Sequence, residues 1–260
     1  MIWCRFQAGG TVSYGTVEGE TITAYEGVPW AEPRATARRY KLNAVKLLAP
    51  LVPGTFYCAG VNYRSHVIRM AAKRNAEPKF PDKADIGYRS PNAIIAQGEA
   101  IVKPRDAGDE FQYEAELVAV IGKKGKNIPK EKALDYVFGW TIGNDVSERV
   151  WQRGDRTLWR AKDSDTFKPM GPWIVTGLDY RKMRTVVRLN GKVVEDFATG
   201  DMIFDVGDFI AAMTKYVTIH PGDVIWMGTD GVPSDMKVGD VCEIDITGLG
   251  TLRNPIVAEA

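Results

Sequence analysis

Two glutamates stand two residues apart in Phe111-Gln112-Tyr113-Glu114-Ala115-Glu116-Leu117, and their surroundings decide what they can do. Alternate side chains of a strand share a face, so Glu114 and Glu116 point the same way, followed on that face by Val118 and Val120. Ala115, Leu117, Ala119 and Ile121 line the other face, which makes the strand apolar on both sides and carries both acids toward a covered interior. Two carboxylates there repel and are costly to desolvate, so either one takes up a proton or both share a cation. A hard divalent ion is the simplest such cation; the alternative is a solvated Glu-x-Glu edge.

Other residues could join them. Asp145 follows a strand at the Gly143-Asn144 bend, from where a carboxylate can reach a neighbouring strand end or cap the helix holding Val150 and Trp151. Arg149 and Gln152 lie three apart on that helix and share a side; they could hold a substrate carboxylate and carbonyl, or form a solvated face. Lys162 could stabilise a developing oxyanion or enolate, or pair at the surface with Asp163. Only two histidines exist, which excludes a His-rich metal site. His66 and Arg69 are one helical turn apart, so His66 could act as a general base if its helix swings over a metal, or be an ordinary surface histidine. Met227-Gly228-Thr229-Asp230-Gly231 is a Gly-flanked loop at a strand end that could offer N–H groups and the Thr229 hydroxyl to a ligand oxygen.

The elements that must position these residues are strands with short helices between them. Ile2 to Gln7, Thr11 to Val17 and Thr21 to Tyr25 read as strands joined by tight turns, and Val28 to Lys41, with Pro29 and Pro33, reads as a linker. Phe56 to Val61 is a buried strand by composition, and Ser65 is placed to cap a helix running toward Asn75. The polar, Pro-rich stretch from Glu77 to Asn92 is a candidate lid. A helix is expected from Pro129 to about Phe138, a hairpin around Asn190-Gly191, an amphipathic helix from Asp205 to Tyr216, and strands at Val224 to Met227 and Val241 to Ile246.

A chain of 260 residues with 45% hydrophobic and 26% charged residues can bury a substantial core. Thirty-four basic against thirty-three acidic residues give no reason to expect a nucleic acid or an anionic membrane as partner, so the partner is expected to be a small molecule. The opening Met1-Ile2-Trp3-Cys4-Arg5-Phe6 has no basic segment followed by an apolar one, and a cytoplasmic address is expected. Cys4, Cys58 and Cys242 are far apart and read as core thiols.

Order and spacing say more than any residue alone. Tyr113-Glu114-x-Glu116-Leu117, Gly139-x-x-x-x-Asn144-Asp145-Val146-Ser147-x-Arg149-x-x-Gln152, Lys162-x-x-Asp165-Thr166-Phe167-x-Pro169-x-Gly171-Pro172-Trp173 and Pro221-Gly222-Asp223-Val224-Ile225-x-x-Gly228-Thr229 closely resemble the fumarylacetoacetate hydrolase family, from roughly Phe56 to the C-terminus. Gly60-x-Asn62-Tyr63-x-x-His66 and Pro78-x-Phe80-x-x-Lys83 resemble that family's lid. The resemblance implies an α+β fold with a mixed, barrel-like β-roll and peripheral short helices over 49–260; the turn-linked strands and linker before it read as a small β-rich N-terminal domain over 1–48. It also implies a homodimer and Mg²⁺ or Mn²⁺ on Glu114, Glu116 and Asp145. Lys162 falls on the active-site lysine and His66 on the lid's catalytic histidine; Arg149, Gln152 and Thr229 fall on substrate contacts, to which the lid adds Tyr63 and Lys83, while Arg69 could bind a second substrate carboxylate.

Such enzymes hydrolyse acylpyruvates, decarboxylate oxaloacetate, or isomerise intermediates of aromatic catabolism. A 2-oxo acid chelates a hard cation, which stabilises the enolate formed as a C–C bond breaks. The chain departs from the pattern twice. Hydrolysis in this family uses a His-x-x-Glu pair, and here Arg69 stands where the glutamate is expected; Glu77, Asp82 or Asp85 could supply an acid instead. Asp230 also replaces the proline that usually follows Gly228-Thr229. The expectation is a metal-dependent hydrolase or isomerase of small 2-oxo or 1,3-dicarbonyl acids. Its rivals are an oxaloacetate-type decarboxylase and a catalytically weakened homologue that binds a dicarboxylate.

Overall fold

The computed structural model describes all 260 residues. The chain begins with β1 (Ile2–Ala8), β2 (Thr11–Glu18), β3 (Thr21–Glu26), β4 (Arg34–Lys41) and β5 (Lys46–Leu48). It continues through β6 (Phe56–Ala59), α1 (Arg64–Lys73), β7 (Ile86–Tyr88), β8 (Ile94–Ile95), β9 (Ile101–Lys103), β10 (Phe111–Gln112) and β11 (Ala115–Ile121). Then come β12 (Val137–Asn144), β13 (Ser147–Glu148), α2 (Arg149–Gly154), α3 (Trp159–Asp163), β14 (Lys168–Val175), β15 (Arg184–Leu189), β16 (Lys192–Ala198), α4 (Val206–Thr214), β17 (Val224–Trp226), β18 (Val241–Ile246) and β19 (Gly250–Ala258).

The architecture is α+β. One large mixed sheet runs β4-β3-β2-β1-β14-β12-β11-β17-β6-β7, with β5 on β1 and β8 on β14. A second sheet runs β16-β15-β18-β19-β9. The first three strands form where their alternation and glycine turns place them. The stretch read as a linker instead contains β4, paired with β3 at the sheet edge. Its Arg34, Arg38, Arg39 and Lys41 are exposed, and charges of this kind keep an unpaired edge from recruiting another chain. The helix expected after Pro129 is a 3₁₀ segment, Lys130–Tyr136, which ends where β12 begins. The later helix is α4, closed by a capping box between Asp205 and Asp208. No helix is long and apolar enough to cross a membrane.

All seven residues of β11 are buried, and the strand separates two packed regions. Leu117, Ala119 and Ile121 join the larger core with Phe209, Ile244 and Leu252, while Val118 and Val120 join Trp3, Phe56 and Trp226. Gly143, opposite Glu116 on β12, makes room for Trp226: an added Cβ would lie 2.5 Å from its ring.

Strand direction gathers the chemistry. β11 pairs antiparallel with β12 and β17, β12 antiparallel with β14, and β17 parallel with β6. The start of β11, the end of β12, the start of β14 and the ends of β17 and β6 therefore meet at one rim. Glu114, Glu116, Asp145, Lys168, the loop after Trp226 and the approach to α1 all fall there.

Candidate active site

The rim places Glu114 and Glu116 on one side of β11, as the two-residue spacing requires, and fastens Asp145 beside them. Asp145 N–H donates to the Glu114 carbonyl at 2.9 Å, and Glu114 N–H donates to Asn144 Oδ1 at 3.0 Å. One oxygen from each of Glu114, Glu116 and Asp145 lies within 4.8 Å of the others, and all three residues are buried. A single hard cation can share three carboxylates at that spacing. Asp145 does not cap α2; that task falls to Glu148, which accepts from Trp151 N–H at 2.5 Å.

Four cations surround the triad. Lys162, buried on α3, reaches Glu114 Oε2 and lies 3.1 Å from Asp145 Oδ2. Lys168, fully buried at the head of β14, lies 2.7 Å from Asp145 Oδ1, and Arg89 lies 3.3 Å from Asp145 Oδ2. Arg149 Nη2 donates to Glu114 Oε1 at 2.6 Å, while its Nη1 and Nε donate to Gln152 Oε1 and Gln112 Oε1, each at 2.8 Å. Arg149 and Gln152 thus share a side of α2 as expected, but they bind each other and brace Glu114.

The three carboxylates are not equivalent. Burial would raise Glu114, but Arg149 and Lys162 together outweigh it and hold the carboxyl down at about 2. Burial likewise opposes ionisation of Asp145, and Lys162, Lys168 and Arg89 overcome it to keep the group well below the usual range. Glu116 goes the other way: burial, then the charges of Asp145 and Glu114, push it well above 4.5, against a smaller pull from Lys162 and the Gly228 N–H. That N–H, 2.8 Å from Oε2, is its hydrogen bond. Glu116 is therefore the acid in want of a cation, and a donor set of three oxygens with one underneutralised member suits a hard divalent ion.

The loop 228–232 joins the triad to α1. Gly228 serves Glu116, and Thr229 beside it is buried, its hydroxyl donating to Asp230 O at 3.2 Å. Gly231 O is 2.7 Å from His66 Nδ1. A carbonyl only accepts, so Nδ1 carries a proton, and in the neutral imidazole that makes Nε2 the acceptor. Ser65 does not cap its helix; its hydroxyl meets the Asp230 carboxylate. Tyr63 is buried with its hydroxyl on Thr199 O at 2.7 Å. Lys83, Glu77, Asp82 and Asp85 are exposed on the loop after α1. The acid near Arg69 is Glu195 of β16, 3.7 Å away.

Sequence reasoning missed Asn144, Arg89, Lys168, Gln112 and Glu195 as parts of the site; it marked Asp230 as a departure and Ser65 as a helix cap without the bond between them. Lys168 had a local signal, a lysine heading an apolar strand; Glu195 had none, because its partners lie far away in the chain.

The fumarylacetoacetate (FAA) hydrolase C-terminal family model matches residues 55–257, and the model described as Rv2993c-like, N-terminal, matches residues 1–50. Protein Rv2993c of Mycobacterium tuberculosis is 38% identical, over 97% of each chain. Oxaloacetate tautomerase YisK of Bacillus subtilis is 34% identical over 84% of this chain and 75% of its own. Among solved structures, 5-carboxymethyl-2-hydroxymuconate delta-isomerase from Mycobacterium smegmatis superposes over the whole of both chains with a TM-score of 0.91 at 34% identity.

Proposed function

The chain belongs to the fumarylacetoacetate hydrolase family, and on that premise we propose that it is a divalent-metal-dependent enzyme that moves a proton on a small 2-oxo dicarboxylic acid, as a keto–enol tautomerase or isomerase. The observation that carries this reading is the pairing of the carboxylate triad with a histidine whose Nδ1 is bound to a carbonyl and whose Nε2 is free to accept. Proton transfer needs one such base and no activated water. Relatives 34% identical to this chain carry tautomerase and isomerase names, which supports the same choice.

Mg²⁺ or Mn²⁺ on Glu114, Glu116 and Asp145 would supply Lewis acidity toward the substrate's keto and carboxylate oxygens. The chain's own residues do the rest. Lys162 places an ammonium at the triad, where it offsets negative charge developing on the 2-oxygen. Arg149, braced by Gln112 and Gln152, holds Glu114 ionised. Arg89, Arg149, Lys162 and Lys168 also set a positive field that favours a dianionic substrate. His66 Nε2 takes the proton from C3 and returns it across the three-atom system.

The test is oxaloacetate freshly dissolved as its enol, with Mn²⁺ and then with chelator. Decay of the enol absorbance faster than in buffer, without release of pyruvate, is the expected result. Pyruvate formed at the rate of enol loss would move the assignment to decarboxylation; pyruvate released from an acylpyruvate instead would move it to hydrolysis.

A further inference from the structure

Both departures from the family pattern, Arg69 and Asp230, lie in one network. α1 meets the loop 228–232 at two points, Ser65 on the Asp230 carboxylate and His66 on Gly231 O, and Arg69 faces Glu195 of β16, which itself grips the loop. Arg69 and His66 are one turn apart on the helix, so both can reach the same element.

Glu195 is unusual for a strand residue. Val187 pairs with Glu195 but Arg188 pairs with Val193, so β16 carries an extra residue at Val194, and such a bulge re-aims the side chain beside it. The Glu195 side chain is only 11% exposed, while the Arg69 side chain that faces it is 53% exposed. Its Oε1 accepts from Val232 N–H at 2.8 Å. Its carboxylate also lies against Gly231, where an added Cβ would be 2.3 Å from Oε2; Gly231 has φ +80, so glycine fits there on both counts. The charged and titratable groups facing Glu195 are Arg69 and His66 from α1 and Asp230 from the loop. Burial raises its carboxyl despite the Val232 N–H and Arg69, as befits an acid kept inside at a cost.

We propose that Glu195 is the positioning residue of the lid base: the carboxylate that position 69 lacks enters from β16, fixes Gly231, and through the Gly231 carbonyl holds His66 as the Nδ1–H tautomer with Nε2 facing substrate. The role given to Nε2 rests on the proton-transfer reading above; the tautomer does not. Asp230 takes part by tying the same loop to Ser65, an attachment that proline could not make.

Two measurements keep the two readings apart. Imidazole ¹⁵N shifts report the tautomer without any turnover, and with His220 the only other histidine, a His66→Gln variant assigns the signals. His66 is expected as Nδ1–H in the native protein and as a tautomer mixture in Glu195→Ala. Kinetics on oxaloacetate enol with saturating Mn²⁺ should show kcat lowered about 10- to 100-fold in Glu195→Ala with KM within about twofold, as for other groups that orient a reacting side chain. Glu195→Gln keeps an acceptor for Val232 N–H, so it tests the charge if the alanine variant fails to fold. Adding Arg69→Glu to Glu195→Ala should recover part of the rate. An unchanged His66 tautomer with an unchanged kcat in both Glu195 variants would overturn the proposal. An inactive native protein whose tautomer still depends on Glu195 would overturn only the proton-transfer reading.

Discussion

The two halves of the site are built differently. The triad stands on strand ends of the large sheet, locked by backbone bonds between Asp145 and Glu114 and by the Asn144 side chain, with four cations packed around it. The proposed base, His66, stands on α1, a helix whose one buried residue is Val67, and side-chain contacts to the loop 228–232 and to Glu195 hold it in place. Groups that hold an ion and resist charge repulsion need the rigidity of paired strands. A base that must let substrate pass needs few fastenings, each readily released. Substitutions at the triad should therefore cost far more than substitutions at the lid.

The largest effect is expected at Glu116. Glu116→Gln removes the one carboxylate without an ammonium or guanidinium beside it, and enolate stabilisation worth several kcal/mol should go with it, a rate loss of about a thousandfold or more. Circular dichroism should be native, and Mn²⁺ should no longer raise the melting temperature. Near-native turnover in this variant would break the contrast at its stronger end.

Lys162→Met comes next. It leaves Glu114 and Asp145 facing each other with one fewer cation between them, and removes the ammonium proposed to stabilise the reacting oxygen. A kcat loss of about 10²- to 10³-fold is expected, close to that for removing one oxyanion donor. Binding of Mn²⁺, read by calorimetry, should persist, because the three acids remain. Loss of metal binding would mean that Lys162 organises the triad rather than the reaction.

Stability against pH sharpens the difference within the triad. In chelator, folded Glu116 binds its proton more tightly than the unfolded chain does, so stability should fall as pH rises above 4.5 and through its raised value. Glu114 and Asp145 are lowered, so their contribution is present above the ordinary carboxylate range and lost as pH falls through it. Glu116→Gln should abolish the decline on the neutral side and leave the acid loss. Mn²⁺ at a hundred times its Kd should stabilise the native chain by about 2.7 kcal/mol at neutral pH, an effect that scanning calorimetry can read. A native protein in chelator whose melting temperature is flat from acid to neutral pH would argue that Glu116 already has its cation.

The same contrast governs what the sequence disclosed. β11 is apolar on both faces, so the inward direction of Glu114 and Glu116 was legible, and the Gly143-Asn144 bend placed Asp145 within reach. The amphipathic helix starting at Asp205 and the turn at Asn190-Gly191 are local chemistry and were equally readable. Two kinds of feature were not. β4 carries arginines on a polar strand, a pattern that only edge pairing with β3 turns into structure. Arg89 looks like a surface residue until the sheet buries it beside Asp145, and the lysine heading β14 gives no sign that Asp145 is its partner. Glu195 becomes a lid residue only because a bulge in β16 turns it toward a helix 126 positions earlier in the chain, at Arg69.

The smallest effect, and the one that reads the lid most directly, is expected for Arg69→Glu. If Arg69 were simply a lost glutamate, restoring His-x-x-Glu should produce a large gain in acylpyruvate hydrolysis. The geometry argues otherwise. A carboxylate at position 69 would face Glu195, already buried and raised, and add a like charge to it. The pair it replaces is long and half exposed, so the stability change should stay within about 1 kcal/mol. Turnover of oxaloacetate enol should fall by about 2- to 10-fold, in the range for a group that orients another, and hydrolysis should not appear. The sign of the change should reverse when Glu195 is alanine, because the new acid then takes the vacated role; such a reversal is the mark of two residues sharing one task. A gain in hydrolysis with Glu195 intact would show instead that position 69 alone limits the base, and that the lid is weakened rather than rebuilt.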